Sequence, residues 1–61
     1  MIQLEELLKD KPELGFKMIY FGNEHYVSFI TRTGKDITRG DGKSVQESIN
    51  ACLKKYEVSY G

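Results

Sequence analysis

The sequence predicts an α+β fold, a small three-stranded antiparallel sheet flanked by an N-terminal and a C-terminal helix in the order α-β-β-β-α. Three observations carry this expectation. Apolar residues recur at helical spacing at both ends of the chain. The middle alternates with a period of two and is rich in aromatic and β-branched residues, and Gly-containing turn signals divide it into three segments.

The first helix is read from Met1, Leu4, Leu7 and Leu8, with Glu5, Glu6, Lys9 and Asp10 between them. Pro12 stops it, because the residue before a proline is pushed out of the α region. Pro12 and Gly15 then bracket a turn.

Two strand candidates follow, Phe16 to Phe21 and Tyr26 to Arg32. A two-residue loop at Gly22-Asn23 or a four-residue loop at 22–25 joins them. Both loops put Phe16, Met18 and Tyr20 on one side with Val27 and Phe29, the expected core face. Thr33-Gly34 marks the second turn, and a third strand runs from about Lys35 to Arg39. A three-residue loop ending at Gly34 with a bulge turns Ile37 to the core beside Phe29. A two-residue loop pairs it with Ile30 on the other face, because a one-residue slip reverses every side chain. The first is preferred, since a sheet this small needs each core residue.

The last helix carries Val45, Ile49, Cys52, Leu53 and Tyr56 in one stripe. Ser44 and Glu47 have the spacing of a capping box, and Lys54 and Lys55 sit toward the C-terminal end, where the helix dipole favours cations. The tail from Glu57 to Gly61 alternates like a strand or frays.

The 61 residues make one domain, 1–61. A chain of this size buries only about 60% of its unfolded surface, so its core is thin. One cysteine, Cys52, forms no internal disulfide, and one histidine with one cysteine does not close a four-ligand zinc site. Nine basic and nine acidic residues cancel, so no global field draws the chain to nucleic acid or an anionic membrane. The chain shows neither an apolar run of membrane-span length nor the basic and apolar segments of a signal peptide. With a free cysteine, the expected location is cytoplasmic.

Motifs for chemistry are few. Gly40-Asp41-Gly42-Lys43-Ser44 invites a phosphate-loop reading, but the glycine that pattern needs five positions before Gly42 is Ile37. The plainer reading is a glycine turn before a helix cap, whose free N–H groups could still hold an anion. Arg39-Gly40-Asp41 matches an integrin-binding tripeptide, a match of three residues that chance supplies often. His25 lacks a titratable partner nearby in sequence other than Glu24 and reads as a solvated turn residue, and Cys52 reads as a buried structural thiol. No catalytic, cofactor-binding or metal-binding set is expected, nor a small-molecule substrate.

Aromatic residues are numerous for the length. If both helices cover one sheet face, Ile19, Phe21, Tyr26 and Ile30 form an exposed set on the other, and such a patch marks an interaction site. One helix on each face would bury them instead. The expected partner is another protein or a second copy of the chain. Bases stacking on the rings are a further possibility. A second candidate is a basic edge of Arg32, Lys35, Arg39 and Lys43, diluted by Asp36 and Asp41, which would meet nucleic-acid phosphates.

The element order, with Thr38-Arg39-Gly40-Asp41-Gly42-Lys43-Ser44 leading into an amphipathic helix, resembles the double-stranded-RNA-binding domain. The resemblance implies a phosphate contact from Lys43 at the helix start. The lysine cluster that family carries there is replaced here by Val45, Gln46 and Glu47, and its Ala-rich final helix is absent. The functional expectation is therefore a small non-enzymatic protein-binding module, of the accessory or inhibitor type found in phages and mobile elements, that occludes a partner. The alternative is a nucleic-acid-binding domain.

Overall fold

A computed structural model of the chain describes residues 3–60. Its order is α1 (Leu4–Asp10), β1 (Leu14–Tyr20), β2 (Tyr26–Arg32), β3 (Lys35–Gly42) and α2 (Val45–Tyr60). This is the α+β architecture expected. Met1, assigned to the first helical stripe, lies outside the described residues. α1 stops at Asp10, and Lys11 before Pro12 takes an extended φ of −126° and ψ of 87°. Residues 57–60 of the tail continue α2 as helix and form no strand, and Gly61 lies outside the described residues.

The sheet is antiparallel with order β1-β2-β3. β1 and β2 pair with Phe16 opposite Ile30, Met18 opposite Ser28 and Tyr20 opposite Tyr26. The expected facing is therefore corrected by one residue. Phe16, Met18 and Tyr20 share a side with Ser28 and Ile30, whereas Val27 and Phe29 lie on the other. The cause is Gly22. His25 N–H bonds to Gly22 O (3.0 Å), closing a turn on Asn23 and Glu24, and Phe21 N–H also bonds to His25 O (2.9 Å). Asn23 and Glu24 have φ of 52° and 57°, as the primed hairpin turns require. Gly22, at φ 86°, is the extra residue of a bulge and not part of the turn. That one insertion reverses the facing of β2.

The second hairpin is the two-residue loop, with Arg32 opposite Lys35 and Thr33 and Gly34 both at positive φ. A bulge still occurs, but in β3: Ile30 pairs with Thr38 and Thr31 with Asp36, leaving Ile37 extra. The bulge turns Ile37 toward the core, as preferred from sequence, but on the side of Ile30 and not Phe29.

α2 lies on the Ile30 side. Ile30 and Cys52 are fully buried together with Leu7, Leu14, Leu53 and Tyr56, and Leu4, Leu8, Phe16, Ile37 and Ile49 pack around them. Leu7 brings α1 into the same cluster, so both helices serve one core. Val45, which heads the expected stripe, is exposed, and Ser48 takes its place as the buried residue of the first turns. Ser48 Oγ donates to Val45 O (2.9 Å) and so accepts from Ser28 Oγ across the helix–sheet interface (2.7 Å).

β3 runs three residues beyond the expected Arg39, and its end explains the two glycines. A Cβ on Gly40 would stand 2.2 Å from Cys52 N and 2.5 Å from Ser48 O; one on Gly42 would stand 2.5 Å from Ser48 N. The backbone of α2 rests directly on these residues. Neither glycine has the positive φ of a turn, so the expectation of a glycine turn is corrected too: Gly40 and Gly42 form a side-chain-free track in a strand.

Candidate interaction surface

The face of the sheet opposite α2 follows from the register. Its rows read Phe21–His25, then Ile19–Val27–Asp41, then Lys17–Phe29–Arg39, then Gly15–Thr31–Asp36. Neither helix contributes to this side. Val27 is nonetheless fully buried, walled in by its neighbours, and Phe29 is half-buried. Ile19 is 40% and Phe21 59% exposed. The result is an apolar strip, Phe21–Ile19–Val27–Phe29, lying obliquely across β1 and β2.

Charges frame the strip in bonded sets. Lys17 Nζ lies 5.1 Å from the centre of the Phe29 ring and 3.2 Å from Asp36 Oδ1. Arg39 donates through Nε and Nη2 to the two oxygens of Asp41, both at 2.9 Å. Asp41 Oδ2 also takes a hydrogen bond from His25 Nε2 at 3.0 Å, and the His25 ring packs on Phe21 with centroids 5.4 Å apart. The hydrogen bond from Arg39, then that from His25, holds the Asp41 carboxyl well below the usual carboxylate range. Asp41 in turn raises Arg39. His25 therefore has a titratable partner sixteen positions away, which only the sheet register supplies.

The residues expected to form the open face divide. Ile19 and Phe21 belong to it. Ile30 does not: it is completely buried beneath α2, because the Gly22 bulge turned it inward. Tyr26, for the same reason, points to the helix side, where it packs against Tyr20 at the open end of the sheet with ring centroids 4.7 Å apart. Val27, Phe29, Lys17 and His25 are the members that sequence reasoning missed.

The basic edge is not gathered into one patch. Arg32 lies on the helix side with its guanidinium 5.5 Å from the centre of the Tyr60 ring, and Lys35 pairs opposite it at the turn. Arg39 is on the outer side, bonded to Asp41. Lys43 is exposed beyond the end of β3. Its N–H donates to Glu47 Oε2 (2.9 Å), while Glu47 N–H donates to Ser44 Oγ (3.1 Å). The capping box is thus formed, with the return bond going to Lys43 and not Ser44, and these donors at the helix start are engaged internally. Cys52 is buried on the core side, and burial pushes its thiol up.

Among the described residues, no helix is long and apolar enough to cross a membrane. No protein-family model, curated protein or solved structure matches the chain.

Proposed function

We propose that this chain is a protein-binding module that docks a partner on the outer face of its sheet, without catalysis of its own. The observation that carries this reading is the apolar strip on the outer face, exposed at Phe21 and Ile19, half-buried at Phe29 and closed beneath them at Val27, which neither helix covers and which charges of both signs frame. Exposed apolar patches rimmed by polar groups are what protein interfaces use. Neutral net charge and the internal matching of Lys17, Arg39 and His25 with Asp36 and Asp41 favour a protein surface of mixed charge over a polyanion. A module of this size would act by occlusion, covering a functional surface of the partner.

The test is quantitative affinity capture with the wild type, the Ile19→Lys/Phe21→Asp double variant and Val58→Asp as a control on the far side of α2. The reading expects a partner whose recovery falls at least about tenfold with the double variant, the effect of losing a little over 1.4 kcal/mol. Recovery of the same proteins in equal yield from all three would remove it. Titration of single- and double-stranded DNA and RNA at low and physiological salt examines the nucleic-acid alternative. Salt-sensitive binding that Arg39→Ala and Lys43→Ala both weaken would move the function to β3 and the helix start that follows it.

A further inference from the structure

β1 is an edge strand, with β2 on one side and, among the described residues, no strand on the other. Phe21 N–H bonds to His25 O at one end of the hairpin, and Thr33 N–H reaches Glu13 O (3.5 Å) at the other. The odd-numbered residues of β1 therefore bond to β2, and the even-numbered ones turn their N–H and C=O groups outward. Leu14 N–H is already bonded to Lys11 O (3.0 Å). What remains open is Phe16, Met18 and Tyr20.

Edge strands are normally blunted by proline, by several charges or by a bulge. β1 has none of the first, and its one charge, Lys17, is drawn aside over Phe29 to Asp36. Instead its last two residues, Ile19 and Tyr20, and Phe21 just beyond them present consecutive exposed apolar side chains. Tyr20, 57% exposed on the helix side, belongs to no part of the outer strip.

We infer that β1 pairs antiparallel with β1 of a second copy about a two-fold axis through Met18, giving a six-stranded sheet. This register maps the open set onto itself: Phe16 meets Tyr20, Met18 meets Met18, and each pair exchanges both main-chain hydrogen bonds. On the outer side it sets Lys17 of one copy against Ile19 of the other. It also lays Phe21 over Gly15, where a missing side chain leaves room for a ring. Shifting the axis to Lys17 would bring two ammonium groups face to face, and like charges directly opposite are destabilising. Net neutrality removes the general repulsion between copies. The two outer strips end on the same side of the enlarged sheet, and the seam takes up part of the exposed surface of Ile19 and Phe21 in each.

The exposed parts of Ile19, Tyr20 and Phe21 supply on the order of 300 Å² per copy, given aromatic side-chain areas of about 150–250 Å². A stable interface needs about 800 Å² per partner. The dimer is accordingly weak and reversible, dissociating somewhere between micromolar and millimolar concentration.

Sedimentation equilibrium across that range decides the matter. The apparent mass is expected to rise from 7.0 kDa toward twice that value with concentration, and Tyr20→Lys to shift the midpoint upward at least tenfold. A second variant, Met18→Cys, tests the register: Cα atoms of a hydrogen-bonded antiparallel pair are about 5.5 Å apart, within disulfide reach. It should form a covalent dimer under mild oxidation many times faster than Val58→Cys, the buried Cys52 being a bystander in both. A mass that stays at the monomer value through millimolar concentration, or equal cross-linking at the two positions, would overturn the inference.

Discussion

Replacing Gly40 by alanine is the sharpest perturbation the fold offers. The new Cβ would stand 2.2 Å from Cys52 N, 2.5 Å from Ser48 O and 2.6 Å from Cys52 Cα. Carbon contacts settle at about 3.5–4.0 Å, so α2 has to retreat by roughly 1 Å or more. All three atoms are backbone, and no side chain can rotate to make room. Overpacking of a rigid site costs about 1–3 kcal/mol. The retreat also stretches the 2.7 Å bond between Ser28 and Ser48, worth about 1 kcal/mol more. The sum, about 2–4 kcal/mol, is set against a total stability of about 3–9 kcal/mol for a chain of this length. At about 4–8 °C per kcal/mol, the melting temperature should fall by roughly 10–30 °C. Urea unfolding followed by circular dichroism measures the loss directly. Gly15→Ala is the internal control: its Cβ would meet only Thr31 Oγ1, at 2.7 Å, a side-chain atom free to turn away. It should cost less than about 1 kcal/mol. A Gly40→Ala protein as stable as the wild type, or a Gly15→Ala protein damaged equally, would refute the close-packing argument.

Three further outcomes follow from the same geometry. Ser48→Ala leaves the Ser28 hydroxyl buried without its acceptor and should cost about 1–3 kcal/mol, whereas Ser28→Ala leaves Ser48 bonded to Val45 O and should cost less; equal losses in denaturant titrations would contradict the donor assignment. Ser44→Ala removes the acceptor of Glu47 N–H and should lower stability by about 1 kcal/mol in thermal melts. Asp41 has a carboxyl pKa depressed by Arg39 and then His25, so the stabilisation from this network is complete above its unfolded value, near the ordinary carboxylate pKa of about 3.9, and is lost only as pH falls through the lower folded value. Carboxyl NMR should find Asp41 still ionised at about pH 3 and returned toward the ordinary range in Arg39→Ala; an ordinary titration in the wild type would break the assignment.

Much of the architecture was legible because it depends on local spacing. The stripe Ile49, Cys52, Leu53 and Tyr56 announces α2, Ser44 and Glu47 mark its start, and Pro12 marks the end of α1. What escaped depends on the count of residues in one hairpin. Gly22 reads equally well as the first residue of a two-residue turn or as a bulge, and the two differ by one residue of register. That single step sends Ile30 into the core and brings Val27 and Phe29 to the outer face. The signal that could have separated them is Asn23-Glu24 as the turn pair, with glycine free to take the bulge beside it. Gly40 and Gly42 suggest a turn from sequence for a related reason. Glycine near a helix start suggests a turn, but here the absence of a side chain matters because a helix backbone lies against the strand. The contact between His25 and Asp41 joins two strands and leaves no trace in local sequence.

The outer face as a docking surface is the central claim, and site-specific photocrosslinking in cells addresses it most directly. A photoreactive phenylalanine analogue is placed at Phe21, on the outer strip, and separately at Val58, which is 82% exposed on α2. The account predicts a discrete adduct with a different protein from position 21 and none from position 58, with any self-adduct recognised by its mass. A heterologous adduct at position 58 and none at position 21 would contradict it, and would place the binding surface on the helix.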